Sequence, residues 1–229
     1  EGMLCSAREL SLADDADGIF EFDADCAEGA ALRDVLGLDD QIIDLDLTPN
    51  RADCFCVIGV AREVAAINAL EFTEPEAVAI KPTLKDTFHI SLVAEDACPR
   101  FAGRIIRKLN MSANTPAWMQ ERLRRSGARP IHPVVDVTNY VMLELGQPMH
   151  GYDLERLSEG IVVRYAKPGE TLALLGGQEI ELTDNVLVIA DANGPVGLAG
   201  IMGGESTAVS EQTIDIFLES AFFAPSAIV

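Results

Sequence analysis

The spacing of apolar residues alternates between a strand-like period of two and a helical period near 3.6, and the changes divide the chain. Residues 1–38 read as short strands and acidic loops. A turn cluster, Asp14-Asp15-Ala16-Asp17-Gly18, precedes the alternating Ile19-Phe20-Glu21-Phe22. Residues 41–47 then alternate, with Ile43, Leu45 and Leu47 on one face and Asp44 and Asp46 on the other, which predicts a strand. Pro49 forbids a helix before it, and Asp53 is placed to cap one after it. Val57, Val60, Val64 and Ile67 recur at helical spacing, predicting a helix over about 53–69 with those residues on one side. Residues 71–87, with Pro75, Pro82 and mixed charge, read as a linker.

Beyond the linker, strands are predicted at Phe88–Val93 and Phe101–Leu109. Thr115-Pro116 signals a helix start, with Thr at the cap and Pro in the first turn. That helix, about 116–126, stops at Gly127 behind Arg122, Arg124 and Arg125, whose charge suits a helix C-terminus. A second helix over 134–145 ends at Gly146 and is apolar nearly all round, which predicts burial. From there on the pattern is of strands: Ile161–Tyr165, Thr171–Leu175 with a Gly176-Gly177 turn, Val186–Ala190, an Asn193-Gly194 hairpin turn, and Ile214–Ser220. The fold class is α+β and strand-rich.

Composition changes this picture little. Hydrophobic residues make up 48% of the 229, as in a globular protein, and no apolar run reaches a membrane span. The opening Glu1-Gly2-Met3-Leu4-Cys5 has neither a signal peptide's basic region nor its apolar core, and it reads as a cut in a longer chain. The five cysteines are odd in number, and Cys54-x-Cys56 has no second metal-ligand pair nearby, so reduced thiols in a cytoplasmic protein are expected and a zinc site is not. The net charge of −20 argues against a general nucleic-acid binder. Its distribution is uneven, however. Eight of the 17 basic residues fall between Arg100 and Pro130, beside the single acid Glu121, which is consistent with one basic face or with an ordinary solvated one.

Candidate chemistry comes from polar residues in apolar surroundings, which are expensive unless paired. Thr138 and Asn139 lie in the apolar helix, His150 follows it, Glu219 ends the apolar run Ile216-Phe217-Leu218, and five glycines crowd 194–204. Each also has a purely structural role open to it. Thr138 can bond back to its own helix, and Asn139 can cap a turn. His150 can be a satisfied structural histidine, Glu219 can pair with an arginine such as Arg129, and the glycines can serve turns and bulges. The glycine spacing fits neither a phosphate loop nor a dinucleotide fingerprint, and no nucleophile elbow or paired-histidine metal motif occurs.

Longer strings carry a resemblance. Thr48-Pro49-Asn50-Arg51-Ala52-Asp53-Cys54, the run from Val134 to His150, Gly200-Ile201-Met202-Gly203-Gly204-Glu205 and Leu218-Glu219-Ser220-Ala221-Phe222-Phe223 occur in order. Together they resemble bacterial phenylalanyl-tRNA synthetase β subunits over essentially the whole chain. The resemblance implies the end of an OB-like tRNA-binding module at 1–38, part of a B1-type domain at 39–74, a linker at 75–88 and a B3/B4 editing domain at 89–229. It implies hydrolysis of mischarged Tyr-tRNA(Phe), with no covalent intermediate and no metal at the site. Glu219 would accept the tyrosine hydroxyl, and His150 would orient substrate or water, with general-base action open. Thr138 and Asn139 would contact the aminoacyl group or the water, Gly203 would leave room for the ring, and Arg129 would lie near the pocket toward the tRNA end. It further implies tRNA(Phe) and an α subunit as partners in an α2β2 enzyme, with ATP and Mg2+ serving the intact synthetase and no cofactor in this piece. A Thr-x-Ala segment of the family's site would fall beyond Val229, so an incomplete site is expected. The alternatives are a non-catalytic module that docks tRNA or the α subunit, and a purely structural scaffold piece.

Overall fold

A computed structural model describes residues 3–12, 18–21 and 26–228. The chain forms two compact units, Glu1–Asp44 and Leu45–Val229. In the first, a backbone hydrogen bond from Phe20 to Cys5 closes a loop, and a single helical turn, α1, spans Leu32–Val35. Most of the expected Asp14–Gly18 turn and part of the Ile19–Phe22 alternation lie outside the described residues.

The next segment differs from the sequence expectation. Residues 41–47 form no strand, and Ile42, Ile43 and Leu45 are exposed: alternation alone does not make a strand where no neighbouring strand pairs with it. A 3-10 turn at Ala52–Cys54 precedes α2, Val57–Asn68, whose N-cap is Cys56. Asp53 therefore caps nothing and instead accepts two hydrogen bonds from Arg51. The apolar side of α2 is not its packed side. Val57, Val64 and Ile67 are exposed, whereas Gly59 and Ala65 are buried, with Gly59 close against the Asp53 carbonyl.

The remainder is built on two facing sheets. A five-stranded sheet has the order β1-β4-β7-β8-β9, formed by Ile90–Leu92, Ile161–Tyr165, Leu187–Ala190, Pro195–Leu198 and Met202–Gly203. Its β1–β4 pair is parallel and the others antiparallel. A three-stranded antiparallel sheet places β10, Ile216–Phe222, between β2, Arg100–Ile106, and β3, His150–Asp153. The main core lies between the sheets, where Tyr152 and Phe217 meet Ile161, Val163, Ile189 and Val196. A hairpin of β5, Thr171–Ala173, and β6, Glu179–Glu181, contributes Leu172 to a second cluster with Val188 and Ala190. β7 is thus covered on both faces, and all four of its residues are buried, as expected of a strand without polar alternation.

Helices α3, Ala117–Arg125, and α4, Pro133–Leu145, form where expected, and Gly146 ends α4 in the left-handed conformation, φ +76°. Two details differ. Thr115 does not cap α3: its hydroxyl donates to the buried Asp136 of α4 at 2.5 Å, tying the two helices together. Nor is α4 buried all round, since Val137, Met142 and Leu145 are exposed.

Candidate functional site

Strand periodicity brings the candidate residues together. In the antiparallel register Glu219 faces His150 on one side and Gly103 on the other, and Phe217 faces Tyr152. Cross-strand partners, and residues two apart on one strand, point to the same face. His150, Tyr152, Phe217 and Glu219 therefore all project from one side of the three-stranded sheet, toward the strands that carry Gly197 and Gly203.

Glycines let these side chains in. A Cβ on Gly203 would stand 2.3 Å from His150 Cε1 and 2.6 Å from its Nε2, so the imidazole lies directly on that backbone. Behind it, the Gly103 position is covered by the Phe217 ring, with Cζ 2.2 Å from where a Cβ would be. The His150 and Tyr152 rings meet edge to face, with centroids 4.5 Å apart.

The polar atoms here are few and buried. The Tyr152 hydroxyl donates to Glu219 Oε2 at 2.6 Å, and Glu219 is only 7% exposed. The Glu219–Arg129 pairing that the sequence leaves open is not formed, Glu219 is paired with a tyrosine, and Arg129 is exposed between α3 and α4. Among the described residues, the other Glu219 oxygen makes no hydrogen bond. His150 is half-buried as a residue, but its Nε2 is closed off from solvent and has no hydrogen-bond partner.

Burial moves the two groups toward neutrality from opposite sides. Desolvation raises the Glu219 carboxyl to about 7, opposed by the hydrogen bond from Tyr152. Desolvation lowers His150 to about 4. The Tyr152 phenol is pushed well up, first by burial and then by the neighbouring carboxylate. Cys98, fully buried, is raised by burial and then by the Glu219 charge. Near neutral pH the imidazole is uncharged and a weak base, while Glu219 is the group that titrates.

The other sequence candidates stand apart. Thr138 bonds back to the Val135 carbonyl at 2.9 Å, a local bond within its own helix. No hydrogen bond joins Thr138, Asn139 or Arg129 to the cluster among the described residues. Cavities of about 320 Å³, lined by residues including Arg164, Glu170 and Asp191, and about 310 Å³, lined by residues including His132 and Asp136, lie outside it. Tyr152, two residues after His150, has no signal of its own in the sequence, because 150–153 lacks a strand pattern and is held by pairing with β10.

Residues 97–229, more than half of the chain, match the family model described as the B3/4 domain. The chain belongs to the B3/4 domain family. The cluster lies within this match, on strands β2, β3, β9 and β10 of the B3/4 domain. Over 228 residues the chain is 57% identical to the phenylalanine–tRNA ligase β subunit of Legionella pneumophila (strain Lens), covering 100% of this chain and 29% of that protein. It is 56% identical over 225 residues to that of Hahella chejuensis, covering 98% of this chain and 28% of the relative. The chain thus spans less than a third of the length of these relatives. Among solved structures, an N-terminal fragment of the phenylalanyl-tRNA synthetase β subunit from Pyrococcus horikoshii aligns at 16% identity and TM-score 0.43, over 78% of this chain and 55% of that one.

Proposed function

We propose that the chain is part of a phenylalanine–tRNA ligase β subunit and that its B3/4 domain hydrolyses tyrosine mistakenly esterified to tRNA(Phe). The observation that carries this reading is the Glu219 carboxylate, buried, with one oxygen bonded to Tyr152 and the other without a partner, beside an unpartnered His150 Nε2. A carboxylate oxygen that a bound substrate cuts off from water needs a donor, and a phenol hydroxyl supplies one where a phenyl ring does not. The site thereby selects for the one group that separates tyrosine from phenylalanine. That is the test a synthetic pocket performs poorly, because an apolar pocket rejects an added hydroxyl by only about a hundredfold.

In the reaction, the oxygen of water bonds to the ester carbonyl carbon and the bond to the ribose oxygen breaks. The water's proton goes to that oxygen, releasing tyrosine and uncharged tRNA. His150, held near 4 by burial, is too weakly basic to take the proton fully at neutral pH. Its role is to line the site and orient water or substrate without taking the proton. An aminoacyl ester is already activated, so placement supplies much of the rate. Thr138, Asn139 and Arg129 are assigned to the aminoacyl group and the tRNA end, and Gly203 to the room beside His150. ATP, Mg2+ and the α subunit belong to aminoacylation by the complete α2β2 enzyme, and no step here runs through them.

The second reading, a module that binds tRNA or the α subunit without catalysis, draws on the close packing of the cluster and on the cavities lying elsewhere. Hydrolysis of Tyr-tRNA(Phe) by the complete synthetase carrying Glu219→Ala decides between them, with Phe-tRNA(Phe) and aminoacylation as controls. Loss of roughly tenfold or more in Tyr-tRNA hydrolysis, with aminoacylation intact, is the expected result. Unchanged hydrolysis would leave the binding module standing.

A further inference from the structure

The geometry points to Tyr152 as a positioning residue that sets the orientation of the Glu219 carboxylate and leaves one of its oxygens free for the substrate phenol. This inference rests on the editing reading above and adds a specificity-determining residue to it.

Tyr152 and Glu219 stand on neighbouring strands, β3 and β10, and are 67 residues apart in sequence. Their bond is short, 2.6 Å, and is formed where both side chains are almost wholly buried: Tyr152 is 2% exposed and Glu219 7%. The ring is held on two sides, by His150 edge to face at 4.5 Å and by Phe217 at 6.3 Å, and its hydroxyl lies on the side of Gly197. A phenol held this firmly fixes the carboxylate it bonds. It also occupies Oε2 alone, so the unbonded oxygen is the one left for an incoming donor. The donor already present is itself a tyrosine side chain, so the structure contains the same contact, phenol to Glu219, that substrate tyrosine would make.

The bond has a second effect. Burial raises the Glu219 carboxyl, and the Tyr152 hydrogen bond opposes that rise. The titratable groups facing Glu219 are His150 and Tyr152 from β3 and Cys98 from the segment between β1 and β2; Gly103, Gly197 and Gly203 bring none. None of these facing groups is a cation at neutral pH, so the Tyr152 hydroxyl is the group that keeps Glu219 ionisable there. Without it, Glu219 holds its proton to higher pH and becomes a poorer acceptor at pH 7.

The test is Tyr152→Phe in the complete synthetase, a change that removes one hydroxyl and preserves the ring. Hydrolysis of Tyr-tRNA(Phe) relative to Phe-tRNA(Phe) is followed from about pH 6 to 9. The ratio is expected to fall roughly tenfold at pH 7 and to recover above roughly pH 8, because the acid limb moves upward. Aminoacylation and thermal denaturation establish that the variant is folded. Glu219→Gln and the double variant complete a cycle: with Gln at 219, adding Tyr152→Phe is expected to change the ratio no further. An unchanged ratio and acid limb in Tyr152→Phe would overturn the inference while the Glu219→Ala result stands. So would an equal additional loss in the Glu219→Gln background, which would make Tyr152 a direct substrate contact. A Glu219→Ala enzyme that hydrolyses Tyr-tRNA normally would overturn the inference and the editing reading together.

Discussion

Glu219 and His150 exchange their usual order of titration, and that order sets a stability profile as well as a chemical role. Glu219 is raised from an ordinary 4.5 to about 7 in the folded chain. A raised carboxyl favours folding below its unfolded value and loses that contribution as pH rises through the folded one. A displacement of this size corresponds to ~3 kcal/mol. His150, lowered from 6.5 to about 4, acts in the opposite direction: its contribution is full above its unfolded value and is lost as pH falls through 4. The two windows overlap between about 4 and 7, where the folded cluster holds its proton on the carboxyl rather than on the imidazole. Glu219→Gln cannot titrate. Measured by chemical denaturation from roughly pH 5 to 8, the variant is expected to gain on the unmutated chain with rising pH, by up to ~3 kcal/mol. Parallel curves would show that Glu219 titrates normally and that its burial costs nothing.

At the level of elements, the cluster depends on strands that accept side chains from their neighbours. Gly103 is the clearest case, because the Phe217 ring covers the place of its Cβ and Ile90 Cδ1 stands 3.2 Å from it. Gly103→Ala forces that ring out of the core between the sheets and is expected to cost about 1–3 kcal/mol. Thermal denaturation measures this, and recovery in the Gly103→Ala, Phe217→Leu double variant would show that the ring is the cause. Such interdependence also explains what the sequence revealed. Helices α3 and α4 and the turn at Asn193-Gly194 were legible because proline, glycine and apolar spacing act locally. β3 was not, since His150-Gly151-Tyr152-Asp153 has no local strand signal and is held by pairing with β10 far along the chain. For residues 41–47 the reverse holds: they have the signal but no partner strand. The packed face of α2 has no signal in its apolar spacing, because it uses Gly59 and Ala65, whose small size brings the helix close while Val57 and Val64 stay outside. Within the site, His150, Gly203 and Glu219 were legible as polar or glycine positions among apolar neighbours. Tyr152 was lost with its strand.

Charge is the property that belongs to the whole molecule. A net −20 repels a polyanion, so any RNA contact must come from where the basic residues gather, at 100–130. The structure neutralises part of that group. Arg107 is paired with Asp86 at 2.6 Å and Asp215 at 2.5 Å, and Arg124 and Arg125 share Glu121 at 2.8 and 3.2 Å. Arg122 donates to the Tyr140 hydroxyl and lies over the Trp118 ring. Arg129, exposed beyond the end of α3 and without an acidic partner among the described residues, is thereby the arginine of this helix pair best placed for a phosphate. If it meets one phosphate of the bound tRNA, Arg129→Ala removes about one counterion-releasing contact. The slope of log affinity against log salt then becomes shallower by about 0.7–0.9. Affinity is expected to fall alike for tyrosine- and phenylalanine-charged tRNA, because Arg129 makes no bond to the Glu219 cluster proposed to read the amino acid. Filter binding of both charged tRNAs to the complete synthetase at several salt concentrations measures both quantities. An unchanged slope would remove Arg129 from the RNA path, whereas a changed ratio between the two tRNAs would place it at the aminoacyl end.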